Sequence, residues 1–445
     1  MALDLDRIFG DLALSQRQSL VIAVSGGSDS LALLLLLKNF LDLRAPAVRV
    51  LAVTVDHAMR TEAAAEAHAV ATLCQKIGVE HRTMVWTGDK PRTGLIAAAR
   101  EARYRLLAEA ADNVGADTVF IAHTMDDQAE TVAMRARRGE GLGLAGMARA
   151  TLYDERIWLV RPLLQVRRQA LRDHLAAAGI HWIDDPTNDN RRYERVRVRA
   201  ALEDNEVRAL ADQAARAGKA RAELGRQAAK LIARFVTMPA RGLFRLDPEM
   251  FDGSNAATHA LRIFLAVAGG TPRLPDHDRA TTLACRLAAG PLRVALSRAL
   301  VDARKSGVWI RRENRNLPVT QLSATPTLWD GRWRIAVKDK AMELQVRACR
   351  EARPTVDAAS RSHIPESLVR AAFSAEPCIF RDGRMIGAAE SGDADALGIS
   401  ASPVEALFAH FLPEFDLTAA QALRRVLARH TLPVSPWKKH IDADA

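Results

Sequence analysis

The sequence predicts an α/β protein: a doubly wound parallel sheet at the N-terminus, then a helical domain and a small α+β C-terminal domain. Three observations predict it. Short apolar runs alternate with helical patterns up to about residue 190, the signature of a parallel sheet with crossover helices. A Gly-Gly turn joins the first run to the first helical pattern. After Ala289 the character changes to short strands separated by Gly and Pro turns.

Val21–Val24 reads as a buried strand and Leu31–Phe40 as the helix after it. Val48–Val55 is the next strand, and the Ala-rich Glu62–Gly78 is helical. His81–Trp86 is a third strand, Gly94–Val114 a long helix, and Thr118–Ala122 a fourth strand. A helix follows from about Asp126, and Ile157–Val160 is a further strand. From Val196 to Ala289 the pattern is nearly all helical, with breaks at Pro239–Gly242 and Gly269–Pro272. Val308–Ile310, Arg332–Val337 and Glu343–Ala348 read as short strands, and Pro403–His430 as a last helical stretch. These shifts divide the chain into 1–205, 206–318 and 319–445.

Composition narrows the function classes. Apolar residues make up 49% and charged residues 26%, the balance of a soluble globular protein. Lys and Arg outnumber Asp and Glu by 63 to 53, for a net charge of +10. That excess points to a polyanion, with nucleic acid first, or to an Arg-rich coding bias. Three Tyr and 5% aromatics argue against a base-stacking sheet. Cys74, Cys285, Cys349 and Cys378 are far apart in sequence and read as isolated, mostly buried thiols. The acidic start MALDLDRIFG has no apolar core of a signal peptide, and the longest apolar run, Leu31–Leu37, is too short to span a bilayer. The expectation is a cytoplasmic protein with no membrane contact.

The strongest local signal is Ser25-Gly26-Gly27-Ser28-Asp29-Ser30, set between a strand and a helix. Paired glycines let the main chain approach a ligand closely, and successive N–H groups form a nest for oxyanions. The helix start beyond adds unpaired donors and a favourable dipole. Asp29 would repel bare phosphate, so its presence points to Mg²⁺ between the protein and pyrophosphate oxygens. No G-x-x-x-x-G-K-[ST] occurs, which excludes a Walker-type nucleotide site.

Two further segments stand at strand ends, where such sheets bind ligands. Asp56 in Val55–Arg60 is placed to read the adenosine, with His57 and Arg60 near phosphate or RNA. His123-Thr-Met-Asp126-Asp127-Gln-Ala-Glu130-Thr131 sets Asp126 or Asp127 on one helical face with Glu130. These acids suit two jobs, holding Mg²⁺ or binding a cationic amine and taking its proton. An acidic helix start stabilised by the dipole accounts for the two Asp but not for His123.

The loop resembles the SGGxDS motif of the PP-loop pyrophosphatase superfamily, whose Rossmann-like domains split ATP between its α and β phosphates. Together the segments resemble the tRNA(Ile)-lysidine synthase family. Asp56-His57 with Arg60 is similar to its DHGLR segment, with Ala58-Met59 in place of Gly-Leu. Arg100, Arg103 and Tyr104 resemble its AR..RY helix, and His123–Thr131 fits HxxDDxxET. Arg138–Met147 resembles its glycine-rich loop but is one residue shorter. Arg161-Pro-Leu-Leu164, Asp184-Asp185-Pro186-Thr187-Asn188 and Tyr193–Arg199 resemble its RPLL, DDPTN and F.RNRIR segments, with Val196 where Asn is usual. The resemblance is dense over 15–205 and thin beyond.

The resemblance implies ATP with Mg²⁺ on Ser25, Gly26, Gly27, Ser28, Asp29 and Ser30, with Asp56 and His123 beside them. It implies ligation of L-lysine to C2 of the wobble cytidine in the CAU anticodon of tRNA(Ile). Arg100 or Arg103 would stabilise phosphate charge, and Asp126, Asp127 and Glu130 would handle lysine or metal. The run Arg191, Arg192, Arg195, Arg197 and Arg199 would track RNA phosphates, with Arg192, Arg195 and Arg199 on one helical face. The helical segment 206–318 would bind tRNA, and 319–445 would recognise other parts of it. A homodimer stays open, because nothing in the sequence fixes the oligomeric state. The alternatives are a PP-loop tRNA thiolase, disfavoured by the lack of a cysteine pair in sequence, and a nucleotide-binding module without catalysis.

Overall fold

The computed structural model describes residues 3–139, 141–184, 190–323, 325–338, 343–350 and 364–438. Glu140 of the glycine-rich loop and Asp185, Pro186, Thr187 and Asn188 of the DDPTN segment lie outside the described residues. The chain forms two compact units. One comprises 1–223, 411–416 and 432–445; the other comprises 224–410 and 417–431. The division falls within the long helix Asp204–Phe235.

The first unit opens with helix α1 (Leu5–Phe9), β1 (Ser19–Ala23) and α2 (Ser28–Arg44). It continues with β2 (Arg49–Asp56), α3 (Ala63–Lys76), β3 (Glu80–Val85) and α4 (Leu95–Asn113). β4 (Thr118–Phe120), α5 (Met125–Ala136), β5 (Ala150–Tyr153), β6 (Ile157–Val160), α6 (Arg168–Ala177) and α7 (Glu194–Ala201) complete it. All five residues of β1 are buried, because helices cover both faces of a parallel sheet. The Leu31–Leu37 run therefore builds a core helix: α2 buries Leu31, Leu33, Leu34, Leu36 and Leu37 and packs on α1 and α6.

The sheet runs β3-β2-β1-β4-β6-β5 and ends on a strand from far downstream, Phe411–Pro413. β1 pairs in parallel with both β2 and β4, β2 with β3, and β4 with β6. β5 and Phe411–Pro413 add antiparallel pairs at one edge. The chain moves outward from β1 to β2 and β3, then returns to place β4 on the other side of β1. That reversal between β1 and β4 opens the crevice where doubly wound sheets take ligands. Tyr104, Tyr153 and Phe411 pack against one another, tilted or edge-on, at 5.3–5.9 Å between centroids at this edge.

The second unit is mostly antiparallel. Val236–Ala240, Leu243–Leu246, Gly307–Arg312, Ala299–Arg304 and Leu292–Leu296 form one sheet in that order. Helix Asn255–Gly269 packs on its middle strands. A four-stranded and a three-stranded sheet follow, sharing a core of Trp329, Trp333, Ile335, Leu344, Val346, Ile379 and Ile399. The buried Asp330 carboxylate accepts hydrogen bonds from Arg312 at 3.0 Å and Arg332 at 2.8 Å. Arg332 also reaches Glu376 at 2.7 Å.

Three local expectations are corrected. The near-uniform helical pattern of 196–289 is broken by the hairpin Val236–Ala240/Leu243–Leu246, because Leu243–Leu246 pairs with Gly307–Arg312 and long-range pairing overrides local propensity. Pro403–His430 is not one helix: strand Ile399–Pro403, a short turn of helix, strand Phe411–Pro413 and helix Leu417–Val426 occupy it. Pro413 has no N–H to continue a helix. The four cysteines are not all isolated thiols. Cys349 and Cys378 are disulfide-bonded across paired strands of the second unit, and Cys285 is exposed; Cys74 is buried as expected.

The bridge closes a loop over a sequence separation of 29, which constrains the unfolded chain by roughly 3–4 kcal/mol. The urea midpoint of the second unit falls on adding dithiothreitol, and Cys378→Ser no longer responds to the reductant. An unchanged midpoint on reduction would show that the thiols are free.

Candidate active site

The crevice is made by two helix starts. β1 ends at Ala23, and the chain turns through Ser25–Gly27 into α2, with Gly27 as the residue capping the helix. Gly26 has φ +83°, in the left-handed region. A side chain there would also crowd Ile183 Cδ1 at 3.1 Å, while the Gly26 carbonyl accepts from the Ile183 N–H at 3.0 Å. Gly26 is therefore required by the fold. Gly27 is not: its φ is −73°, and an added Cβ would make only ordinary contact with Ser25 Oγ at 3.6 Å. Ser30 shapes the turn, accepting from Ser25 N–H at 3.1 Å and donating to the Gly27 carbonyl at 2.9 Å. Ser28 Oγ donates to Asp29 Oδ1 at 3.3 Å.

α5 starts just beyond β4 on the other side of the crevice. Thr124 caps it, and Asp127 completes a capping box: its Oδ2 accepts from Thr124 N–H and Thr124 Oγ, both at 2.8 Å. One oxygen of Asp127 is thus spent on the helix start, and Oδ1 is left to face the crevice. Glu130, one turn on, is 1% exposed.

Arginines saturate these acids. Arg168, at the start of α6, donates from Nε to Asp29 Oδ2 at 2.9 Å and from Nη2 to Asp127 Oδ1 at 2.9 Å, and its Nη1 lies 3.6 Å from Glu130 Oε1. Arg195 donates to Glu130 Oε2 at 2.6 Å and Asp127 Oδ1 at 3.0 Å, and Arg199 to Glu130 Oε1 at 2.7 Å. Arg195 and Arg199 do share a face of α7, and that face meets the acidic helix while each side chain stays about a third exposed. Asp126 serves the start of α6, accepting from the Arg168 N–H at 2.8 Å and from Arg167 at 3.2–3.3 Å.

The charges shift accordingly. Burial raises the Asp29 carboxyl above its ordinary value, opposed by Arg168. Burial would also raise Asp127, but Arg168, His123, Arg195 and the Thr124 N–H outweigh it and hold that carboxyl at about 2. Burial works against the Arg168 charge, yet Asp127, Asp29 and Glu130 keep it more firmly protonated than usual. His123 is pushed well below the ordinary histidine value, first by burial and then by Arg161, Arg103 and Arg195, against Asp127.

The remaining expected residues fall around this cluster. Asp56 Oδ1 accepts from the Ala58 N–H at 2.7 Å and so shapes the turn after β2; Arg60 pairs with Glu66 at 3.0 Å. His57 stands edge-on to Trp86. Arg100 lies over the Tyr104 ring at 4.9 Å. The half-buried Arg103 guanidinium has no hydrogen bond or ion pair among the described residues. Beside the loop, a cavity of about 370 Å³ is lined by Gly26, Leu31, Val70, Leu73, Ile180 and Ile183. Among the described residues no three His, Cys, Asp or Glu side chains converge as a metal cage. No helix among them is long and apolar enough to cross a membrane.

Sequence reasoning missed Arg161, Arg167 and Arg168 as site residues and placed Arg195 and Arg199 on RNA. Arg161 was visible in the RPLL segment and Arg195 in the arginine run. Nothing local marked Arg168, whose acids lie 139 and 41 residues away.

Asp127 makes stability depend on acid. Its folded value near 2 lies below the unfolded value of about 3.9, so its contribution is present above pH ~4 and is lost as the pH falls toward 2. Wild type loses about 1 kcal/mol more than Asp127→Asn between pH 5 and pH 3, read from urea melts. Equal losses would show that Asp127 carries no such shift.

Comparison with known proteins fits this geometry. A PP-loop domain model matches residues 1–206. The tRNA(Ile)-lysidine synthase of Mesorhizobium japonicum is 47% identical over 430 residues, covering 94% of each chain. That of Brucella anthropi is 37% identical over 451 residues, 96% of this chain and 97% of the other; that of Rhizobium meliloti is 37% identical over 440, 94% and 93%. The solved U34-tRNA thiolase NcsA from Methanococcus maripaludis shares 17% identity at a TM-score of 0.41, over 48% of this chain and 77% of that one. With near full-length relatives of this identity, the chain belongs to the tRNA(Ile)-lysidine synthase family.

Proposed function

We propose that the protein ligates L-lysine to C2 of the wobble cytidine in the CAU anticodon of tRNA(Ile), at the expense of ATP. The observation that carries this is the meeting, at one crevice, of an oxyanion-binding turn and an acidic helix whose charges are balanced by arginine. The relatives' names support the same substrates.

The triphosphate sits over Ser25–Ser30, with main-chain N–H groups and the α2 start facing it. The cytidine O2 attacks the α-phosphate, diphosphate leaves, and the adenylated base carries AMP as a leaving group at C2. Arg103, with a guanidinium free of protein hydrogen bonds among the described residues, takes charge that develops on phosphate, with Arg100 behind it. The lysine ε-amine, ordinarily protonated below pH ~10.4, must lose its proton before attacking C2. Asp127, held anionic, binds the ammonium together with Glu130, and the proton passes to water as the amine approaches C2; Asp126 positions them through α6. Asp56 shapes the wall beside the adenosine.

Mg²⁺ fits the loop in one respect: it usually takes one or two carboxylates and completes its shell with substrate phosphates and water. Asp29 is the carboxylate that would hold it, and the ion would supply charge neutralisation for the departing diphosphate. We assign 1–205 to catalysis, 206–318 to tRNA binding and 319–445 to recognition of tRNA beyond the anticodon. A tRNA substrate supports the expectation of a cytoplasmic protein. A thiolase would need free thiols for a cluster or persulfide, whereas Cys349 and Cys378 are joined in a buried disulfide, and the relatives at 36–47% identity bear the lysidine synthase name.

Incubation with ATP, radiolabelled lysine and CAU-anticodon tRNA tests the assignment: ATP-dependent label enters the tRNA. ATP binding without turnover would leave only a nucleotide-binding module. Asp29→Ala abolishes diphosphate release and leaves tRNA binding largely intact; the reverse pattern would contradict the loop assignment.

The two glycines separate fold from function. Gly26→Ala costs at least ~1 kcal/mol of stability through its φ. Gly27→Ala leaves the melting temperature near wild type but weakens ATP binding at least tenfold, because only a ligand needs that space. Normal ATP affinity in Gly27→Ala would move the phosphates off the turn.

A further inference from the structure

We propose that His123 is a catalytic hydrogen-bond donor, a neutral imidazole offering Nε2–H to the α-phosphoryl group of the nucleotide, and that buried Arg161 is the positioning residue that fixes this tautomer. The proposal rests on the ATP-dependent reading above and adds a residue and a protonation state to it.

The geometry starts with Arg161, which directly follows β6 and is 5% exposed. Its backbone N–H donates to the Arg149 carbonyl at 2.8 Å. Its Nη1 donates to the Ala148 carbonyl at 3.0 Å, to Thr151 Oγ1 at 2.9 Å and to the Leu159 carbonyl at 3.4 Å. A guanidinium held on so many sides does not reorient. The remaining Nε–H donates to His123 Nδ1 at 3.2 Å. Arginine has donors only and does not give up its proton. A proton on Nδ1 would therefore face another donor, so Nδ1 is the acceptor and the ring carries its hydrogen on Nε2.

The charged groups around the ring agree. Arg161 comes from the end of β6, Arg103 from α4 and Arg195 from α7, and all three disfavour an imidazolium. Asp127 on α5 favours it, and burial works against it. Nε2 has no hydrogen-bond partner among the described residues.

Register places that free donor at the phosphate turn. Ile22 on β1 is level with Phe120 on β4. The pairing ends there, and both chains turn at the same end of the sheet: Ser25 comes three residues after Ile22, and His123 three residues after Phe120, where its N–H closes a tight turn on the Ile121 carbonyl at 3.0 Å. β1 and β4 are adjacent parallel strands, so the turns that leave them flank one crevice, and a phosphoryl oxygen lying over the Ser25–Gly27 turn faces the other turn. A neutral ring has a specific advantage here. An imidazolium would pair with Asp127 and neutralise an acid that the amine needs; a neutral donor leaves Asp127 anionic and still stabilises charge that grows on phosphate. This also accounts for the histidine ahead of the acidic helix, which helix capping leaves unexplained.

The test uses the full-length chain labelled with ¹⁵N-histidine. Long-range ¹H–¹⁵N spectra from pH 5.5 to 8 show one neutral Nε2–H ring that does not titrate and disappears in His123→Gln. In Arg161→Met, with folding checked by thermal melting, that ring populates both tautomers; Arg161→Lys, which keeps a donor, restores the wild-type pattern. In diphosphate release, His123→Ala lowers kcat by roughly 10²–10³ with a smaller change in the KM for ATP. Arg161→Met combined with His123→Ala loses no more than His123→Ala alone, because Arg161 acts through the ring. Additive losses, an Nδ1–H ring in wild type, or normal kcat in His123→Ala would each overturn the proposal. A wild type that shows the expected spectrum but adds no lysine to tRNA would instead sink the ligase reading.

Discussion

One guanidinium ties the crevice together. Arg168 meets carboxylates from two different helices, Asp29 at the start of α2 and Asp127 and Glu130 on α5, while its own backbone N–H is held by Asp126. The phosphate turn and the acidic helix are therefore not independent neighbours. Removing a partner from such a buried set leaves charges without compensation, which typically costs several kcal/mol. Backbone pairing sets the distance between β1 and β4; this charge lattice sets the direction in which the side chains beyond them point.

The lattice also explains how a basic protein holds so many buried acids at its centre. Asp29, Asp126, Asp127 and Glu130 would repel a nucleotide if left bare. Arg167, Arg168, Arg195 and Arg199 match them, and they come from two short helices that follow the sheet rather than from the sheet itself. In the proposed reaction a polyanion and a cationic amine must enter the same crevice. A set of paired charges accepts either with modest rearrangement, whereas an excess of one sign would admit one substrate and exclude the other.

What the sequence reveals and what it hides divides along contact range. Ser25–Ser30 and His123–Thr131 are legible because each acts within one turn at a strand end: Gly26 needs positive φ, and Thr124 with Asp127 forms a capping box at i, i+3. The five parallel strands are legible from apolar runs. Arg168 is invisible locally, because an arginine at a helix start reads as solvated until the fold brings Asp29 to it across 139 residues. The edge strand Phe411–Pro413 is hidden for the same reason, being three residues long and paired with β5 more than 250 residues earlier. Cys349 and Cys378 share no spacing motif, yet adjacent strands bring them together. Arg195 and Arg199 show the intermediate case: helical periodicity places them on one face, but only the packing of α7 on α5 pairs that face with Asp127 and Glu130.

The choice of cation at the site follows from the proposed chemistry. Each cation that pairs with Asp29, Asp126, Asp127 or Glu130, and the two others named beside them, Arg103 and Arg161, is arginine. An enzyme that joins an amine to an activated carbon meets a particular hazard. A lysine of its own within reach of that carbon is a competing nucleophile as soon as it loses a proton, and burial lowers the pKa of lysine readily. Arginine supplies the same charge without that liability, since its guanidinium stays protonated in proteins. Its planar fork can also meet two or three carboxylates at once, as Arg168 does, where an ammonium would act as a single point charge. The acids can then tell the substrate amine from the arginines that pair with them by shape and by proton affinity.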